Sequence, residues 1–203
     1  MGTTQPTSAD HEKFDIVSKI TYESWCENRV DCFFEKYTDD ICILELAATR
    51  IVNGMTGIAP VEIVRRNNLR PPGSTVKVIG WGHTKDDLHP RRPHIAQMYV
   101  LKNDECEAQV RSLVPNCLSD VVLTAKMFCL VSKPAVVAVH GDFGSPVLIN
   151  REKTLLGMLI QRCPMYHPTD VNEHQVNLVL HLGYYSEFIN SAIGTRERGS
   201  MSQ

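Results

Sequence analysis

The sequence predicts an all-β fold, an antiparallel barrel or sandwich, to which two helices are added. Short β-branched or aliphatic runs recur at intervals of about ten residues, a spacing typical of such folds. Turn residues separate these runs, among them Pro71-Pro72-Gly73 and Asn150-Arg151-Glu152. The predicted strands are residues 41–46, 75–79, 97–101, 135–139, 147–149, 155–160 and 178–180.

Two segments have helical patterns. Residues 103–113 begin with Asn103 and Asp104, which are favourable residues at a helix N-terminus. Near the C-terminus, apolar residues recur at i, i+3, i+4, i+7 and i+8 before Gly194, which ends the helix. This apolar stripe consists of Tyr185, Phe188, Ile189, Ala192 and Ile193. We expect the stripe to pack against the body of the domain.

Composition excludes several classes of protein. Apolar residues make up 43% and charged residues 22% of the 203 residues, as in ordinary soluble domains. The 21 Lys and Arg against 23 Asp and Glu give a net charge of −2, without the positive field that phosphate binding requires. The longest apolar runs, such as residues 155–160, are too short to span a bilayer. We therefore expect no nucleic-acid partner, no membrane span and no cofactor.

The seven cysteines are scattered along the chain, and none has the spacing of a zinc site. This pattern predicts no metal site and favours a few long-range disulfides in an oxidising compartment, with at least one thiol left over. Residues 1–15 do not support export to such a compartment, because they are polar and do not contain the apolar core of a secretory signal. The localisation therefore stays open on sequence grounds.

The segment Gly141-Asp142-Phe143-Gly144-Ser145-Pro146 resembles the G-D-S-G-G-P signature of trypsin-like serine proteases. Further segments resemble other elements of that family and follow in the family's order. They are Asp39 to Leu46 (D-I-A-L-L-x-L strand), Val78 to Gly82 (V-x-G-W-G), Met127 to Cys129 (M-F-C), Leu155 to Met158 (L-V-G-I) and Tyr185 to Ile193 (C-terminal helix). The resemblance covers Asp39 to Gly194. It implies a trypsin-like double antiparallel β-barrel with an intermediate helix, a C-terminal helix and a catalytic site at the barrel junction.

The resemblance also implies how the chain is divided. The strands that precede the catalytic histidine in the family have no room here, so we expect the first barrel to be incomplete. We predict a flexible arm over 1–15, a trypsin-like domain over 16–194 and a flexible tail over 195–203. Within the domain, the expected first-barrel remnant is 16–70, the second barrel 74–183 and the C-terminal helix 184–194.

The catalytic positions depart from the family pattern. The third signature residue is the nucleophile in the family, and here it is Phe143, whose ring has no oxygen to attack a carbonyl. Asp40 matches the triad aspartate, and we expect it to keep that buried position without a histidine. The segment around His11 is the nearest match to T-A-A-H-C, but it lacks the cysteine and lies too close to Asp40. We interpret His11 as a solvated residue of the arm, with a triad role as the weaker alternative.

The substrate cleft departs from the pattern as well. On the family's pattern, Val137 lies at the base of the specificity pocket and Val139 takes the place of the usual cysteine. We therefore expect a pocket without an acidic residue at its base and without the disulfide that normally holds it. The S-W-G strand reads Ile160-Gln161-Arg162. His140 precedes the signature, and it is expected either to line the cleft or to be an exposed loop histidine.

Asp142 receives a new N-terminal amine in active relatives, but this chain has no R-I-V-G-G site. We therefore expect its carboxylate to find another hydrogen-bond donor or to reach solvent, because an unpaired buried carboxylate is costly. The N–H groups of Gly141 and Phe143 are predicted to form an oxyanion-like loop. Such a nest binds anions but is not by itself a catalyst.

Other residues have alternative interpretations. Ser145 is the hydroxyl of the signature, and a turn serine is a better explanation of it than a substitute nucleophile. His83, His89 and His94 lie in a basic loop without a pattern that fixes a metal, so we interpret them as solvated or as a partner contact. The resemblance implies a disulfide between Cys106 and Cys129, because relatives have a disulfide at these positions. Cys117, which lies between them in the sequence, is an alternative partner. Cys26, Cys32, Cys42 and Cys163 have no assigned partners.

These observations lead to a functional hypothesis and its rivals. The first is a catalytically inactive trypsin-like homologue that acts as a protein-binding or regulatory module, with partner and oligomeric state unknown. The alternative is a divergent trypsin-like endopeptidase, which the family's usual activity favours by analogy. The third is a degenerate chain without a stable fold, because an incomplete barrel leaves strand edges exposed.

Overall fold

The computed structural model describes residues 14–27, 29–36, 38–47, 60–66, 71–84, 87, 90–112, 124–132, 141–149, 153–163 and 175–194. These residues are mostly β, as the sequence predicts. The elements are β1 (Ile16–Thr21), α1 (Tyr22–Cys26), β2 (Cys42–Leu46), β3 (Glu62–Ile63), β4 (Thr75–Gly80), β5 (His94–Val100), α2 (Asn103–Ser112), β6 (Met127–Val131), β7 (Pro146–Ile149), β8 (Thr154–Cys163), β9 (Val176–His181), a 3₁₀ turn (Leu182–Tyr185) and α3 (Ser186–Gly194).

The chain divides into two compact units. The first unit consists of Met1–Pro60 with Tyr185–Gln203, and the second unit of Val61–Tyr184. In the second unit, six antiparallel strands follow the order β8-β7-β4-β5-β6-β9, and β9 pairs back onto β8. This last pairing, from Gly157 opposite His181 to Cys163 opposite Val176, closes the strands into a barrel. The short β3 adds to β8 in parallel.

The barrel interior follows from the alternation of side chains along each strand. Val76 and Val78 of β4 are buried, whereas Thr75, the first residue of the strand, is exposed and Lys77 is half-buried, because successive side chains point to opposite faces. Buried aliphatic side chains of the other strands join them in one cluster, among them Leu130, Val147, Leu156 and Val179. The second unit therefore has a hydrophobic core of its own.

The helix α2 is joined to the barrel by a disulfide between Cys106 and Cys129. Both cysteines are buried, Cys106 on the inner face of the helix and Cys129 in β6. This bond is the pairing that the family resemblance implies, and it is confirmed. Leu113 and Cys117, which the prediction placed at the end of the helix and in the following insertion, lie outside the described residues.

The described part of the first unit contains a two-stranded sheet instead of a barrel. Strand β1 pairs antiparallel with β2, from Ile16 opposite Leu46 to Thr21 opposite Cys42. Thr21 then caps α1 by accepting a hydrogen bond from the backbone N–H of Ser24. A second disulfide, which the sequence did not predict, joins Cys26 at the end of α1 to Cys32.

An aromatic cluster forms the core of the first unit. The ring of Tyr22 lies edge-on to Tyr185 and Phe188, with centroids 5.0 and 5.4 Å apart, and it stacks with Trp25 at 5.4 Å. The Trp25 indole N–H donates to the hydroxyl of Ser191 on α3 at 2.6 Å. Edge-to-face and offset contacts of this kind stabilise aromatic cores beyond their buried area.

A buried carboxylate lies beside this cluster. Asp39 is 2% exposed, and its Oδ1 accepts a hydrogen bond from the Tyr185 hydroxyl at 2.6 Å. Its Oδ2 accepts from the backbone N–H of Glu35 at 2.9 Å. These donors offset the cost of burying the charge. Burial and the bond to Asp39 raise the pKa of Tyr185 far above its ordinary value, and burial with the nearby Asp39 charge also raises the pKa of Tyr22.

Several details differ from the sequence predictions. The C-terminal helix starts at Ser186, because residues 182–185 form a 3₁₀ turn. Within its apolar stripe Tyr185, Phe188 and Ile189 are buried, but Ile193 is 62% exposed near the end of the helix. Strands β1 and β3 and helix α1 were not predicted. The predicted strand 135–139, residues 1–13 of the predicted arm 1–15 and the predicted tail 195–203 lie outside the described residues.

We expect the Cys106–Cys129 disulfide to contribute about 3 kcal/mol to the free energy of unfolding, because it reduces the conformational entropy of the unfolded chain. Replacing both cysteines by alanine should lower that free energy in urea titrations by about this amount. The matched control is Cys42→Ala, since Cys42 is exposed and not in a disulfide. Equal stabilities of the double variant and the control would contradict the prediction.

Tyr185→Phe removes one donor from the buried Asp39 carboxylate while keeping the ring. We expect the free energy of unfolding at pH 7 to fall by about 1–3 kcal/mol, the range for a buried group that loses a hydrogen bond. Tyr99→Phe is the control, because its hydroxyl takes part in an exposed contact with Gln97. The measurement is denaturant unfolding, and equal losses in the two variants would refute a special role for Tyr185.

The raised pKa of Tyr185 predicts a pH dependence of stability. The native phenol keeps its proton, whereas in the unfolded chain it ionises near pH 10, so the stabilisation is complete below pH 10 and is lost as the pH rises. Between pH 9 and 11, the wild-type chain should lose about 1.4 kcal/mol more than Tyr185→Phe. Unfolding titrations at fixed pH values measure this difference, and parallel curves would contradict the prediction.

Candidate active-site loop

The signature segment forms a tight loop at the start of β7 in the second unit. Gly141 and Gly144 both adopt positive φ angles, 96° and 87°, which side-chain-bearing residues rarely adopt. The Ser145 N–H donates to the Asp142 carbonyl at 2.9 Å and closes the turn. Two more backbone bonds tie it to β8, from Gly144 N–H to Leu159 O at 2.7 Å and from Leu159 N–H to Ser145 O at 3.0 Å. The backbone of this loop is therefore well anchored.

The carboxylate of Asp142 lies against the end of β4. Its Oδ1 accepts a hydrogen bond from the backbone N–H of Gly82 at 2.7 Å. A Cβ at Gly82 or at Gly80 would overlap this carboxylate. The two glycines of the Gly80-Trp81-Gly82 segment therefore make room for Asp142, a role that the motif match alone did not reveal. We expected Asp142 to find a donor other than a new N-terminus, and the Gly82 N–H is such a donor.

Two residues of the loop have opposite environments. Phe143 is 45% exposed at the tip of the loop, between the two glycines of positive φ. Ser145 is 8% exposed and sits in the turn whose backbone bonds hold the loop to β8. The oxyanion-like nest of Gly141 and Phe143 stays a prediction, because the bonds described here involve the N–H groups of Gly144 and Ser145.

The predicted burial of Asp40 is wrong. Asp40 is exposed, and the neighbouring Asp39 is the buried carboxylate. The Tyr185 hydroxyl and the Glu35 backbone N–H both donate to Asp39. The paired aspartates were visible in the sequence, but the pattern did not show which of them would find buried donors.

The expected cleft residues are described only in part. Ile160 is half-buried and Gln161 is buried on β8, while of Arg162 only the backbone is described, as part of the same strand. His11, Val137 and His140 lie outside the described residues. The described residues therefore do not test whether these predicted site residues lie together, and their roles stay predictions.

The described ranges also contain His, Cys, Asp and Glu side chains of the types that bind metal ions. No group of three His, Cys, Asp or Glu side chains among them is placed to hold a metal ion. His83 and His94 are described and do not form such a group, whereas His89 is not described. No helix in this part of the chain combines the length and apolar character needed to cross a bilayer.

We expect Gly82→Ala to displace the Asp142 carboxylate, because the added methyl group would occupy its place. Overpacking of this kind costs about 1–3 kcal/mol of stability, measured as a lower denaturant midpoint. The control is Gly194→Ala at the end of α3, where an added Cβ meets open space. A stability of Gly82→Ala equal to that of the control would show that Asp142 does not lie against this segment.

Comparison with known proteins agrees with the geometry. The family model described as trypsin matches residues 1–168. The snake venom serine protease homolog 2A of Craspedocephalus gramineus is 30% identical over 149 residues, which cover 71% of this chain and 47% of the relative. The snake venom serine protease ussurin of Gloydius ussuriensis is 28% identical over 147 residues, which cover 71% of this chain and 52% of the relative. The chain spans about half the length of the curated relatives it matches.

Solved structures share the fold. Neuropsin, a serine protease expressed in the limbic system of mouse brain, aligns with a TM-score of 0.70 at 16% identity over 95% of this chain and 77% of its own. The scabies mite inactivated protease paralogue S-I1 aligns with a TM-score of 0.62 at 23% identity over 88% of this chain and 68% of its own. These identities support the fold alone. Together with the family match, they show that this chain belongs to the trypsin family and has the chymotrypsin fold of trypsin-like serine proteases.

Proposed function

We propose that this chain is a catalytically inactive member of the trypsin family that acts as a protein-binding module. The observation that carries the proposal is the side chain at the third signature position. A serine there supplies the oxygen that attacks the scissile carbonyl, after a histidine removes its proton. Phe143 supplies a phenyl ring, which has neither a lone pair for attack nor a proton to transfer.

The environment of Ser145 supports this proposal. Its side chain is buried, and its backbone N–H and carbonyl both take part in bonds that hold the loop to the barrel. A nucleophile has to reach the substrate and a base within hydrogen-bond distance. A serine that is enclosed in a turn serves the loop backbone better than it serves attack on a carbonyl.

The binding role rests on the shape of the loop. Its glycine conformations, its ties to β8 and the Asp142 bond to Gly82 N–H hold the backbone in place. Phe143 is thereby presented to solvent as an aromatic side chain on a rigid support. Pre-organised aromatic side chains are frequent binding hot spots, because little conformational entropy is lost on contact.

The second candidate function is a divergent endopeptidase. Relatives such as ussurin are named serine proteases, and this favours proteolysis by analogy. Others are named serine protease homologs, and one structural neighbour is named an inactivated protease paralogue. The endopeptidase hypothesis requires a nucleophile other than Phe143 and a base that acts on it.

The absence of catalysis is the first test of the proposal. Purified chain should neither hydrolyse fluorogenic peptide amides and esters nor react with a fluorophosphonate serine probe, because no side-chain oxygen is available at position 143. Trypsin serves as the positive control for both assays. Turnover or labelling that is lost in Ser145→Ala would overturn the proposal and support the endopeptidase.

Binding through the loop is the second test. A photo-crosslinking benzoylphenylalanine at position 143 should capture a protein partner, which is then purified and titrated against the unmodified chain. Phe143→Ala should weaken that binding at least about tenfold, equivalent to about 1.4 kcal/mol for a hot-spot side chain. The matched control is Phe33→Ala, since Phe33 is also an exposed aromatic residue. Equal binding losses in Phe143→Ala and Phe33→Ala would contradict the proposal that the loop binds a partner.

A further inference from the structure

The second unit contains a cavity that the signature loop does not use. It has a volume of about 650 Å³ and lies between the start of α2 and the end of β9. Small-molecule sites in proteins range from about 300 to 1,000 Å³, so the cavity has the size of a ligand site. Buried aliphatic side chains contribute to its lining, among them Val100, Met127 and Leu156.

Three aromatic rings form one wall of this cavity. Phe128 and His181 are buried with ring centroids 6.0 Å apart, and His181 lies edge-on to Tyr184 at 5.4 Å. The guanidinium of Arg66 lies over the Tyr184 ring, 4.8 Å from its centroid. Each ring is therefore in contact with a neighbouring side chain of the same unit.

The backbone beside the wall fixes the orientation of His181. The Gly183 N–H donates to His181 Nδ1 at 3.2 Å, so the proton of a neutral imidazole is on Nε2. A Cβ at Gly183 would lie 2.7 Å from His181 Cε1 and 2.8 Å from the Arg66 backbone. Glycine at this position is thus required for the close approach that assembles the wall.

The two charged side chains at the cavity rim both have partners within α2 or next to it. Lys102 Nζ lies 3.3 Å from Glu105 Oε1, and Asp104 Oδ1 accepts a hydrogen bond from the Glu105 N–H at 3.0 Å. Of the lining residues, Lys102 and Asp104 carry opposite charges, and Lys102 already has an anionic partner in Glu105. An anionic ligand would therefore have to compete with Glu105 for Lys102.

We propose that this cavity binds a small uncharged aromatic molecule. Flat rings can pack face-on or edge-on against Phe128, His181 and Tyr184, and such pairs are favourable beyond the area they bury. The apolar lining favours transfer of an uncharged ligand from water, whereas a charged group would lose hydration there and an anion would find Lys102 already paired with Glu105. This site is independent of the proposed loss of catalysis.

The neutral naphthalene ketone prodan is a suitable probe, because its emission responds to an apolar environment. Titration of the full chain should show saturable binding of one equivalent. Ala125→Trp places a bulky side chain at the exposed rim and should weaken binding at least about tenfold. The matched control Ala47→Trp changes an exposed alanine of the first unit and should leave prodan affinity unchanged.

Each result decides the proposal. A cooperative thermal transition first establishes that a variant is folded, and Asp104→Trp at the same rim replaces Ala125→Trp if that variant is unfolded. Non-saturable binding by the wild-type chain, or equal weakening in the rim variant and the control, overturns the site. Anilinonaphthalene sulfonate tests the charge preference, and tenfold tighter binding of this anion than of prodan overturns the uncharged ligand class.

Discussion

The pairing of β8 with β9 is the constraint on which the second unit depends. It joins the two ends of a six-stranded order and thereby satisfies the backbone groups that an open sheet would expose. The signature loop is bonded to β8, the aromatic wall of the cavity begins at the last residue of β9, and the disulfide from α2 enters the adjoining β6. Barrel closure therefore positions the strands to which the described loop, cavity wall and disulfide are attached.

The backbone of the signature loop is held by glycine conformations and by one carboxylate. Gly141 and Gly144 have positive φ, and Asp142 accepts a hydrogen bond from the Gly82 N–H just beyond β4. None of them depends on the side chain at position 143, which points to solvent. A phenylalanine at this position is consequently compatible with this loop backbone, whereas the inactivity we propose follows from the oxygen that its side chain lacks.

Sequence patterns were sufficient where a local rule and the tertiary structure agree. The alternation in β4 and the N-terminal residues of α2 determined both elements, and the family match supplied the Cys106–Cys129 pair. Strand β1 was missed because its residues have no regular buried alternation. The Cys26–Cys32 bond and the choice between Asp39 and Asp40 depend on which donors and partners fold nearby, information that a linear pattern does not contain.

The buried Asp39 has a consequence for how the first unit is stabilised. Because the described sheet of this unit has two strands, its core consists largely of aromatic contacts between α1 and the segment around α3. The Tyr185–Asp39 bond connects that core to the chain entering β2, and it supplies a donor that a carboxylate at this depth requires. Since aromatic packing tolerates several arrangements, one directional bond at its centre selects a single arrangement, as buried polar networks do in other cores.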